Sequence, residues 1–113
     1  MEHKMKLWAE PFNKIKSGKK DIELRLNDLK RQLIKKGDYI IFTNNQTMES
    51  VRCEVVELFY YQTFEELYDK FDKTRLGYEE DEIVSPKDME KFYLKDEISK
   101  YGVVGIQIKI VNE

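Results

Sequence analysis

The chain has one cysteine, Cys53, and one histidine, His3, among 113 residues. A single thiol cannot form an internal disulfide, so nothing points to an oxidising compartment. A structural zinc site would lack its usual ligands, and neither a metal nor a cofactor is expected. Cys53 sits in a strand-like apolar run and reads as core. Proline occurs twice and glycine five times, and no linker rich in either divides the chain. No repeat or low-complexity stretch is present. No apolar run approaches the ~20 residues that span a bilayer. Met1 to Lys6 has no hydrophobic segment behind it, as a secretory signal would. The expectation is one domain, 1–113, a cytoplasmic location, no membrane contact and a monomer.

What the chain does have is aromatic and charged. Hydrophobic residues make up 41%, with seven Tyr and six Phe, enough for one compact core. Charged residues make up 37%, and the net charge of −2 hides an asymmetry. Residues 1–36 hold eleven Lys/Arg against five Asp/Glu, whereas the remainder holds nine against 17. A basic first third suits a polyanion-facing surface, but the acidic remainder argues against broad nucleic-acid binding. Any anion site should be local.

Lys4 to Trp8 reads as a first strand, and Pro11 opens a short helix that Gly18 ends. Asp21 to Leu26 alternates, with Ile22, Leu24 and Leu26 on one face and Asp21, Glu23 and Arg25 on the other. That pattern predicts a half-buried strand with a charged outer face. A short helical stretch through Ile34, the turn Lys36-Gly37-Asp38 and strands Tyr39 to Thr43 and Ser50 to Tyr60 follow. Thr63-Phe64-Glu65-Glu66 has the form of a capping box, and its helix has Leu67, Tyr68 and Phe71 as its apolar face. Glu79 to Glu82 reads as loop and Ser85-Pro86 as another helix start, with Met89, Phe92 and Tyr93 as a buried stripe. A polar stretch then leads to Tyr101-Gly102, and Val103 to Val111 forms the last strand. A small closed or nearly closed barrel fits this order, as one of several α+β options.

The densest chemistry lies in Gly18-Lys19-Lys20-Asp21-Ile22-Glu23-Leu24-Arg25. Gly18 permits the turn from helix to strand. Glu23 and Arg25 are two apart on a strand and project from one face, and Lys20 at the strand's entrance can converge on it. A carboxylate between two cations holds them in place while they lower its pKa. Their remaining donors suit a phosphate or a polarised carbonyl. Without further context, the same residues are also an ordinary ion-pair ladder, typically worth little energy. Trp8 is either core or a stacking platform for a base. Arg31, with Lys30, either extends the basic rim or lines a solvated helix face.

Gly18, Lys20, Glu23 and Arg25 resemble the G-x-K-x-x-E-x-R signature of the ASCH domain family, related to the PUA family of RNA-binding barrels. Pro11-Phe12, Lys36-Gly37-Asp38-Tyr39-Ile40 and Tyr101-Gly102-Val103 agree with it, so the resemblance spans nearly the whole chain. It implies an α+β fold: a small PUA-like mixed β-barrel of about five to six strands with three or four short helices. It also implies an RNA- or nucleotide-binding cleft, here with Gly18, Lys20, Glu23, Arg25, Trp8 and Arg31 as ligand-binding candidates.

Some small bacterial proteins of this kind are amidohydrolases that remove the acetyl group from N4-acetylcytidine. Their catalytic set is a lysine in the motif, a threonine three residues later and a glutamate ahead of the helix that leads to the last strand. Lys20 matches the lysine, and Glu82, three residues ahead of Ser85, is the best placed glutamate. Glu23 stands where the threonine would be, which puts the covalent route in doubt. Paired with two cations, Glu23 would be a weak general base. A third reading is a protein-interaction module that uses the Glu79 to Glu82 loop or Tyr60-Tyr61.

Overall fold

The computed structural model describes residues 1–111. The strands are β1 (Glu2–Leu7), β2 (Ile22–Leu26), β3 (Tyr39–Asn44), β4 (Ser50–Tyr61) and β5 (Val103–Ile110). The helices are α1 (Ala9–Lys16), α2 (Phe64–Lys70) and α3 (Lys95–Tyr101). The five strands form one mixed sheet in the order β1-β3-β4-β5-β2, with β1 parallel to β3 and the other neighbours antiparallel. The sheet curls into a half-barrel, the small α+β architecture the sequence leads one to expect. Its two edges, β1 and β2, are linked by a side chain: the Arg25 Nη2 donates to the Lys6 carbonyl at 3.3 Å.

The concave side of the sheet holds the larger core. Met5, Leu7, Ile40, Phe42, Cys53, Val55, Val104, Ile106 and Ile108 meet Phe12 and Ile15 of α1 there. Three residues apart, Phe12 and Ile15 share one helix face, which explains why so short a helix docks. The smaller apolar layer lies on the other side of β2, where Ile22, Leu24 and Val103 pack against Phe64 and Leu67 of α2 and Leu76. The Thr63 hydroxyl accepts from the Glu66 backbone N–H at 3.2 Å and caps α2.

Four expectations need correction. β1 ends at Leu7, so Trp8 is not in a strand; it immediately precedes α1 and is 62% exposed. The Ser85-Pro86 start opens a 3₁₀ turn, Pro86–Lys91, with Ser85 accepting from the Lys87 N–H at 3.3 Å. The polar stretch before the last strand contains α3, where Asp96 and Glu97 sit in the first turn and Lys100 in the last, matching the helix dipole.

The fourth correction bears on function. The alternation of β2 is as expected, but its charged face is not an outer one. Glu23 is in register with Ile106 and Arg25 with Val104, both in the concave core. Directly paired residues share a sheet face, so Glu23 and Arg25 point into the curl. Alternation distinguishes two faces without saying which is covered, and here both are.

Candidate functional site

Lys20, Glu23 and Arg25 converge where the curl stays open between β1 and β2. Lys20 Nζ lies 3.2 Å from Glu23 Oε1 and donates to the Leu76 carbonyl at 3.0 Å. Arg25 Nε donates to Glu23 Oε2 at 3.1 Å, and its Nη2 lies 3.0 Å from the same oxygen. Each carboxylate oxygen therefore has its own cation. Lys20 is 7% exposed and Glu23 4%, so this is a buried triad and not a surface ladder.

Burial by itself would raise the Glu23 pKa. The charges of Lys20 and Arg25, with the hydrogen bonds they donate, outweigh it and hold the carboxyl below the usual carboxylate range. For Arg25 burial opposes the charge, and Glu23 together with Tyr93 more than restores it. The triad carries one net positive charge and donors in excess of what Glu23 can accept.

The far wall of the site comes from the segment after α2. Arg75 fastens it to the entrance of β2 with two bonds to Asp21, at 2.9 and 3.1 Å, while its carbonyl accepts from the Asp21 and Ile22 N–H groups. Two residues on, Gly77 adopts a φ of +106°, and a Cβ there would stand 3.0 Å from Lys20 Cδ. Only glycine gives both that backbone turn and that approach. The Gly77 carbonyl accepts from Lys14 Nζ at 2.5 Å. Tyr78, Met89, Phe92 and Tyr93 continue the wall, and Tyr68 joins it from α2.

Together these groups enclose a cavity of about 430 Å³. Lys20, Glu23 and Arg25 lie in its lining, and Trp8 and Phe92, both 62% exposed, also border it. Of the other candidates, Gly18 ends α1 with a φ of +85° and sets the path to Lys20 without lining the cavity. Arg31 lies in the 3₁₀ turn Arg31–Leu33 and bonds Asp28 through Nη1 at 3.4 Å. Glu82 accepts from the Glu79 N–H at 2.7 Å and lies 3.8 Å from Lys14 Nζ, outside the cavity lining.

The sequence reading missed Gly77, Tyr68, Tyr78 and Lys14 as parts of this site. Tyr68 reads as an apolar helix residue because its spacing to Leu67 and Phe71 hides the hydroxyl. Gly77, between Leu76 and Tyr78 and followed by an acidic loop, is the signal that was present. Among the described residues, no group of three or more His, Cys, Asp and Glu is placed to hold a metal ion. No helix among them is long and apolar enough to cross a membrane.

The family model of the ASCH domain matches residues 5–112, and the chain belongs to that family. Among solved structures, the chain is similar to the hypothetical protein PH0355, with 33% identity, a TM-score of 0.83 and coverage of 98% of this chain and 100% of that one. The protein PF0455 from Pyrococcus furiosus is 32% identical, with a TM-score of 0.75 and full coverage of both chains at 100%. An ASCH domain from Lactobacillus crispatus shares the fold at 14% identity, with a TM-score of 0.62 over 96% of this chain and 79% of that one. No curated protein matches the sequence.

Proposed function

We propose that the protein binds RNA or a nucleotide and holds one nucleotide unit in the cavity between β2 and the Leu76–Tyr93 wall. The observation that carries this reading is the buried Lys20–Glu23–Arg25 triad in a cavity of about 430 Å³ bordered by aromatic rings. Small-molecule sites commonly enclose about 300–1,000 Å³ and combine apolar walls with a few fixed polar groups. Lys20 has three donors and gives two of them to Glu23 and Leu76, leaving capacity for a phosphate or carbonyl oxygen. Trp8 and Phe92 offer exposed rings for a base to stack on, a contact worth about 1–3 kcal/mol per base.

Binding is favoured over amide hydrolysis by the state of the carboxylates. Glu23, held below the usual range by two cations, is a poor acceptor for a proton from water. Glu82 is engaged in its own loop.

An NMR titration with cytidine and adenosine monophosphates, short single-stranded RNAs and N4-acetylcytidine tests the reading. Shifts should be confined to Trp8, Lys20 to Arg25 and the wall residues Gly77, Tyr78 and Tyr93. No shifts with any of these ligands would overturn it. Cytidine appearing from the acetylated nucleoside would replace binding with hydrolysis.

A further inference from the structure

Three hydroxyl and carboxyl groups form a chain in the cavity wall. Tyr68 Oη and Tyr78 Oη are 2.7 Å apart, and Tyr78 Oη donates to Asp88 Oδ2 at 3.1 Å. The direction of the protons follows from counting them. An ionised carboxylate can only accept, so the single proton of Tyr78 goes to Asp88. The 2.7 Å contact between the two phenols needs a proton as well, and Tyr68 alone can supply it. Tyr68 therefore donates to Tyr78, and its own oxygen is left with acceptor capacity only.

Tyr68 and Tyr78 both line the cavity, whereas Asp88 is outside the lining. Among the described residues no other side chain donates to the Tyr68 hydroxyl. Burial raises the Tyr68 pKa, and burial together with Tyr68 and Asp88 raises that of Tyr78, so both phenols keep their protons at neutral pH. The site thus presents donors from Lys20 and Arg25 and a fixed acceptor from the tyrosine wall.

We infer that Tyr68 is a specificity-determining residue, whose hydroxyl oxygen accepts a hydrogen bond from an amino-bearing nucleobase and disfavours the keto counterpart. The inference rests on the nucleotide reading above and deepens it. A keto oxygen at the same point would face a second acceptor in a partly desolvated wall, with no proton between them. Sites built around a specific polar contact reject the mismatched analogue strongly for this reason. Asp88 is a positioning residue: it touches no ligand and fixes the direction of the chain.

Calorimetric binding of two matched pairs tests this: adenosine against inosine monophosphate, and cytidine against uridine monophosphate. The wild-type protein should favour the amino member of each pair by about tenfold or more. Tyr68→Phe should bring both ratios close to one. Asp88→Ala frees the Tyr78 proton to point at Tyr68, and should shrink or invert both ratios although residue 88 lies outside the cavity. The ratio is the readout, because a general loss of packing would weaken both members alike. Equal wild-type binding within each pair, or ratios unchanged in both variants, would overturn the inference and leave the nucleotide reading standing. Failure of all four nucleotides to bind would overturn both.

Discussion

The two sides of β2 are both buried, but they are built from different materials. Inside the curl, Met5, Phe12, Ile40, Phe42, Val55 and Ile106 belong to a core that, among the described residues, contains no hydroxyl. Outside it, Ile22, Leu24, Phe64, Leu67 and Leu76 are joined by partly buried Tyr61, Tyr68, Tyr78 and Tyr93. Aliphatic packing can be dense without regard to direction, whereas each phenol has to find a polar partner. The inner layer is suited to holding the fold, and the outer layer can present groups of defined polarity to a ligand. The triad lies where the two meet.

Truncation should separate these roles. Phe42 is fully buried in the inner layer, so Phe42→Ala should cost about 3–5 kcal/mol in denaturant unfolding. Nucleotide affinity in the remaining folded protein should change little, since Phe42 does not line the cavity. Lys20→Met should cost both. Removing one partner of a buried ion pair destabilises by about 3 kcal/mol, and affinity should fall by at least about tenfold. If Lys20→Met proved as stable as wild type, the triad would be a ligand device alone.

The next effect is smaller and lies in the wall. Gly77→Ala places a methyl against Lys20 at a positive φ and should cost about 1–2 kcal/mol. Its diagnostic is a displaced Lys20 side-chain signal, with weaker nucleotide binding. An unperturbed Lys20 would mean that the wall yields before the triad does.

The smallest effect concerns the β1–β3 end of the sheet. His3 Nε2 lies 2.9 Å from Asp38 Oδ2, and that bond, the Lys35 N–H and the N-terminal ammonium lower the Asp38 pKa from 3.8 to about 2. A depressed folded-state pKa contributes stability that is complete above the unfolded value and lost as pH falls through the folded one. Urea midpoints should therefore decline as pH is lowered from about 4 towards 2, and the decline should be shallower in Asp38→Asn. An identical acid limb in the variant would assign the decline to other carboxylates.

Much of this architecture is legible in the sequence, for identifiable reasons. The alternation from Ile22 to Leu26 marks β2, and Gly18, Lys20, Glu23 and Arg25 mark the triad, because strand periodicity puts the last two on one side. Their burial is not legible, since it depends on β2 closing against β5 and on chain 50 residues further on. The parallel pairing of β1 with β3 has no local signature. α3 escapes notice because Lys95, Asp96, Glu97 and Lys100 leave Ile98 as its single aliphatic residue. The tyrosine chain is hidden because Tyr68, Tyr78 and Asp88 are ten residues apart at each step, and each has an unremarkable local role.

The bond from Arg25 to the Lys6 carbonyl has a consequence for the protein's behaviour in a crowded solution. An unpaired strand edge is a template on which another chain can add itself. In this fold two such edges confront each other across a guanidinium, so each is shielded by the other and by a charge. Loss of Arg25 would open the cavity and two aggregation edges in the same stroke, which makes colloidal stability one of the properties that this single side chain protects.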